Sequence, residues 1–133
     1  MKTPEQITAE ANNNIIVAAV KMMLIDGKID SRELAKIQEI YQLLHSEKIK
    51  LEKVKELIFK VMALEDFGCE VSDIANSISE SIMGKRSREL ATIALAEVMI
   101  ADQRLHDDEQ ELVTLITELW DTEDILQDYL NDS

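Results

Sequence analysis

Two stretches of this chain, IIVAAVKMMLI from Ile15 to Ile25 and LATIALAEVMIA from Leu90 to Ala101, are apolar on nearly every side of a helix. A helix of that kind has no face to give to water, so other elements must enclose it. Each carries one charged residue, Lys21 in the first and Glu97 in the second, and those positions lie 76 residues apart. The same offset superimposes Asp26-Gly27-Lys28-Ile29 on Asp102-Gln103-Arg104-Leu105, Glu33 on Glu109, Ile37 on Val113, Ile40 on Ile116 and Leu44 on Trp120. The unit so defined is a buried helix, an acidic corner and an amphipathic helix. Two copies are too few for an open solenoid. The expected architecture is therefore two pseudo-repeats, about 15–45 and 90–120, with their apolar helices packed together and joined by helices within 51–84. An unpaired buried charge is costly, so Lys21 and Glu97 are expected to pair with each other or with charges on the facing half.

Helical spacing runs through the rest of the chain. Thr3-Pro4-Glu5-Gln6 has the cap residue, the first-turn proline and the glutamine of a capping box. Gly27 is placed to end the first helix. Leu34, Ile37, Ile40, Tyr41 and Leu44 form one helical stripe, and Leu51, Val54, Leu57, Ile58, Val61 and Met62 form another. Val71, Ile74, Ile78 and Ile82 mark a shorter helix ending at Gly84, before helices from Leu90, from Leu112 and around Ile125 to Leu130. No useful length alternates with period two, and one proline with three glycines leaves little punctuation for a sheet. The fold class is all-α, a single-domain bundle over 1–133 of about six to seven helices. A chain of 133 residues is long enough for one core and short for two.

Charge is distributed unevenly. The chain carries −13, and from Asp102 to Ser133 eleven carboxylates face the single cation Arg104. Such a field repels nucleic acid and anionic membranes and attracts cations or a basic protein. A lysine cluster at Lys48, Lys50, Lys53, Lys55 and Lys60 is interleaved with Glu47, Glu52 and Glu56. It has only Phe59 on which to stack a base, so nucleic acid is not an expected partner. Ile15 to Ile25 is too short to span a bilayer and lies too far in for a signal peptide. Cys69 is the one cysteine, which fits a reducing compartment. A cytoplasmic protein without membrane insertion is expected.

The stretch MLIDGKIDSRE holds oxygen ligands at Asp26, Asp30 and Glu33, but it is not an EF-hand. That loop needs glycine at position six and a bidentate glutamate at twelve, whereas here glycine follows the first aspartate at once. Capping accounts for Asp30 and Glu33, as cap residue and as third helical residue bonding back to it. It does not account for Asp26 and Asp102, which recur at helix C-termini, where the dipole disfavours anions. These residues make Asp26, Asp30, Glu33, Asp102 and Glu109 the candidate metal ligands, for calcium or magnesium ahead of zinc. Zinc, di-iron, redox-cysteine and phosphate-loop motifs are missing, and no catalytic residue is assigned. Cys69, His45 and His106 read as packing, surface or cap residues. The methionines of the apolar helices read as core filling.

The doubled pattern, an apolar helix followed by D-G-x-I-x-x-x-E, resembles the bacterial tellurite-resistance TerB family and the related domain of membrane-anchored DnaJ-like co-chaperones. The second half is the closer match, through Ala101-Asp102, Leu105-His106, Glu109 and the LVTLITELW helix, although Gln103 stands where a glycine is expected. The resemblance covers roughly Ile15 to Leu130. It implies an all-helical bundle with an acidic surface proposed to bind a divalent metal, a role in stress response and toxic oxyanions, and no settled enzymatic activity. Two functions follow as expectations. One is a non-enzymatic stress-response module that recruits a protein through its acidic face, with a weak divalent cation. The alternative is a metal-dependent hydrolase or phosphotransfer enzyme using the paired carboxylates of the two corners.

Overall fold

Local chemistry starts the first element as its sequence requires. The computed structural model describes residues 3–25, 31–63, 70–101 and 107–132, and in it Thr3 caps α1 (Pro4–Leu24). The Gln6 amide donates to the Thr3 hydroxyl at 3.2 Å, and the Thr3 amide donates back to the Gln6 side chain at 2.9 Å. Such a cap contributes about 0.5–2 kcal/mol. Six more helices follow among the described residues: α2 (Ser31–His45), α3 (Leu51–Met62), α4 (Val71–Ser81), α5 (Lys85–Ala101), α6 (Asp107–Trp120) and α7 (Glu123–Asp132). No strand occurs among them, and the fold is all-α.

The start of α5 differs from the expectation. It begins at Lys85 rather than Leu90, because its first turns are polar and leave no hydrophobic period to read. Gly84 sets that start: its φ of 91° turns the chain out of α4, and its carbonyl accepts from the Arg88 amide at 3.1 Å. A Cβ there would meet nothing within 4 Å, so the backbone and not the space requires glycine.

The apolar helices α1 and α5 pack on each other more extensively than any other pair. Buried in α1 are Ile15, Ile16, Ala18, Ala19, Val20, Met22 and Met23; buried in α5 are Ala91, Thr92, Ala94, Leu95, Ala96, Val98 and Met99. These are the same positions shifted by 76, and the half-buried ones, Val17, Lys21, Leu24 and Ile25, match Ile93, Glu97, Ile100 and Ala101. Alanines on both helices let the axes approach closely. Around the pair, α2 packs on both, α3 on α1 and α2, α6 on α4 and α5, and α7 on α5 and α6. Met22, Met23 and Met99 are core residues as expected, whereas Met62 and Met83 are exposed.

The helices that follow α1 and α5 end alike. Ser46 (φ 57°) and Asp121 (φ 56°) are both left-handed. The Ser46 amide bonds to the Gln42 carbonyl at 2.8 Å, closing α2 with an αL motif. In α6 the Thr122 amide reaches back to the Thr117 carbonyl at 3.0 Å, the long bond of a Schellman motif. These two stops lie 75 residues apart, so α6 is one residue shorter than α2. Among the described residues no helix is long and apolar enough to cross a membrane.

Candidate functional site

The outer surface of α6 and α7 is an acidic face. Asp107, Asp108, Glu111, Glu118, Asp121, Glu123, Asp124 and Asp128 are all exposed, while Leu112, Val113, Ile116 and Trp120 turn inward. No lysine or arginine occurs from 107 to 132, so nothing within these helices offsets the charge. Acidic residues in the first turn of each helix complement its dipole. Glu111, Glu118, Asp121 and Asp128 lie beyond those turns, where the helix N-terminus does not compensate them.

Of the five expected metal ligands, the structure places Glu33 and Glu109. They occupy equivalent positions in the first turns of α2 and α6, and are 1% and 0% exposed. Asp26, Asp30 and Asp102 lie outside the described residues, as do Gly27, Cys69, Gln103 and His106. The strained backbone expected at Gln103 falls there too. Full burial of the two glutamates is what sequence reading missed, since a first-turn glutamate looks like a solvated cap. Among the described residues no three His, Cys, Asp or Glu side chains gather as a metal site. Nor do α2 and α6 approach each other closely there. A two-metal hydrolytic centre needs its ions about 4 Å apart beside an open pocket, and no described feature favours that arrangement.

Lys21 and Glu97, at matching places on α1 and α5, turn to different helices. The Lys21 ammonium donates to Ser77 Oγ on α4 at 3.1 Å. Glu97 accepts a hydrogen bond from the Tyr129 hydroxyl of α7 and lies near the Lys36 ammonium of α2. Burial, the Glu97 charge and that hydrogen bond push Tyr129 up from 10.0 to about 12. Lys36 is also held above the ordinary lysine value, chiefly by its hydrogen bond to Glu39 at 2.8 Å. This polar cluster ties α2, α5 and α7 together, and no local sequence signal announces it.

Trp120 is a buried anchor at the end of α6, with the Arg88 guanidinium 5.7 Å from its ring centre. Arg88 also donates through Nε to the Ile82 carbonyl at 2.9 Å, fastening the end of α4. Beside it the buried hydroxyls of Thr92 and Thr122 meet at 2.8 Å, which pins the start of α7 to α5. His45, at the end of α2, stacks obliquely on Tyr41 with ring centres 4.5 Å apart.

An enclosed helix pair, wrapped by amphipathic helices and presenting one carboxylate face, defines a small all-helical acidic domain. The chain belongs to the TerB family: the family model described as tellurite resistance protein TerB matches residues 12–124, from within α1 into the first turn of α7. Neither a curated protein nor a solved structure matches the chain.

Proposed function

We propose that this chain is a tellurite-resistance-type stress-response protein that acts in the cytoplasm as a non-enzymatic, acidic protein-interaction module. The observation that carries the reading is the α6–α7 face, where eight exposed carboxylates stand in a stretch without a single lysine or arginine. The partner it suits is a protein with a basic surface. Weak calcium or magnesium binding accompanies the face, at a corner carrying Asp26, Asp30 and Glu33 or at its counterpart carrying Asp102 and Glu109, and the matching burial of Glu33 and Glu109 supports equivalent corners. The shared burial pattern of α1 and α5 likewise supports two related halves, 15–45 and 90–120.

Tellurite survival of a host lacking its own copy tests the reading. The combined variant Glu111→Gln, Glu118→Gln, Glu123→Gln, Asp124→Asn, Asp128→Asn is expected to fold, to keep the helical circular dichroism of the parent, and to lose protection. Full protection by that variant overturns the interaction face, and a parent that confers none overturns the tellurite assignment. For the cation, calcium should raise the melting temperature beyond sodium at matched ionic strength, with Asp26→Asn/Asp102→Asn removing most of the rise. Ligand at about 100 times its dissociation constant contributes roughly 2.7 kcal/mol. Equal responses to sodium and calcium in both proteins remove the site.

A further inference from the structure

A groove of about 590 Å³ opens between α1, the α2–α3 connection and α3, on a part of the molecule separate from the acidic face. Its floor is apolar: Ile16, Val17, Tyr41, Ile49 and Leu57. Its rim carries Lys48, Lys50, Lys53 and Lys60, all exposed, against the single carboxylate Glu56. Glu56 is engaged by Lys53 at 3.3 Å. Among the described residues the other three lysines have no carboxylate within ion-pair distance. A chain of net charge −13 thus sets four of its fourteen cations around one concave apolar surface.

The walls of the groove are held in place. Gln38 Nε2 donates to the Ile49 carbonyl at 3.0 Å and Asn12 Nδ2 to the Leu44 carbonyl at 3.0 Å. The left-handed Ser46 fixes where the chain leaves α2. At this edge α3 opens with mixed charge, Glu52 favouring the helix dipole and two lysines opposing it. Lys50 is the N-cap of α3 yet makes no side-chain capping bond, and Lys53 lies in the first turn. Serine or aspartate would cap better, and cations repel the positive end of the helix dipole. Local rules broken at the mouth of a pinned, ligand-sized groove are expected where a site is built.

We propose that this groove binds a free amphipathic organic anion, its hydrocarbon body on the Ile16–Val17–Ile49–Leu57 floor and its phosphate or carboxylate head at Lys48 and Lys50, where α3 opens. The aliphatic floor selects an apolar body, and the unengaged ammonium groups with the amides opening α3 select the anionic head. A nucleic acid would be repelled by the chain as a whole and finds within the groove only Tyr41, with Phe59 outside it, on which to stack. A second copy docking its acidic face would bring one large exposed apolar side chain, Leu119, too little to cover this floor.

The test uses the intact chain and decyl phosphate below its micelle concentration, followed by amide chemical shifts. Inorganic phosphate, neutral decyl maltoside and anionic phospholipid vesicles serve as comparison ligands. Expected are shifts confined to residues 12–17, 38–41 and 48–60, with decyl phosphate binding about tenfold or more tighter than either phosphate or decyl maltoside. Lys48→Gln/Lys50→Gln should weaken binding about tenfold or more without changing the circular dichroism or lowering the melting temperature. Leu57→Gln should weaken it while leaving its salt dependence intact. Equal binding of decyl maltoside, equal binding of inorganic phosphate, shifts elsewhere, or indifference to the lysine substitutions each overturns the proposal. So does binding seen only with vesicles, or self-association that the lysine substitutions abolish. The acidic-face variant described above should bind decyl phosphate as the parent does, so the two proposals fail independently.

Discussion

α1 with α2, and α5 with α6, are two solutions to the same packing problem that diverge wherever packing does not decide. Their central helices are buried at identical positions, and the helices that follow each bury a first-turn glutamate and stop in a left-handed residue. Lys21 in one is Glu97 in the other, and each has found its own neighbours. The first pair leads into a lysine-rimmed groove, the second into a helix of carboxylates. Burial constrains shape and apolarity tightly, whereas an exposed side chain is nearly free to change sign. One framework can therefore carry two surfaces of opposite charge.

The severest way to break this comparison is through its core. Leu95, enclosed in α5 where α1 has Ala19, should cost about 2–5 kcal/mol when changed to alanine. The converse Ala19→Leu overfills its site at about 1–3 kcal/mol. Urea midpoints of both variants check the pair, and a Leu95→Ala loss under about 1 kcal/mol would mean that α5 is not enclosed as α1 is.

A smaller effect separates the two exits. Thr122→Val removes the buried hydroxyl pair with Thr92, for which the first half has only Ile16 at the matching place. It should cost about 0.5–1.5 kcal/mol, with faster hydrogen exchange confined to the amides of α7. Unchanged exchange there would show that α7 is held by its apolar contacts alone.

Smaller again are the two helix stops. Ser46→Gly and Asp121→Gly each relieve a left-handed backbone and should stabilise by up to about 1 kcal/mol. Serine should gain more than aspartate, which tolerates that region better. Opposite signs at the two sites would separate two stops that share one backbone conformation.

Least of all at neutral pH is the effect of Tyr129. Its hydroxyl titrates at 10.0 when unfolded and at about 12 in the fold, so its contribution is complete below pH 10 and is lost as pH rises towards 12. Lys36, also raised, loses its contribution in the same direction, above its ordinary 10.5. Tyr129→Phe should flatten the fall of stability across that alkaline window. A slope identical to the parent's would detach α7 from the Glu97 cluster.

Much was legible because it is local. The capping box at Thr3, the stripes of α2, α3 and α4 and the enclosed nature of α1 and α5 all follow from periodicity that neighbouring residues impose on one another. Composition likewise announced the acidic face, since α6 and α7 contain no cation to balance it. The first turns of α5 were illegible because Lys85 to Glu89 have no hydrophobic period. The buried state of Glu33 and Glu109 was illegible because a first-turn glutamate reads the same in sequence whether or not other elements enclose it.

By itself, then, the sequence determined the fold class, the two enclosed helices, their spacing of 76 residues and the sign of the α6–α7 surface. Each of these depends on which residue types recur at short range, or on a sum of charges. Only the tertiary structure decided that Glu97 meets Tyr129, that Arg88 lies over Trp120, and that four lysines border one apolar groove. Those outcomes join residues from separate helices, and the closure of the core fixes which exposed and half-buried side chains become neighbours.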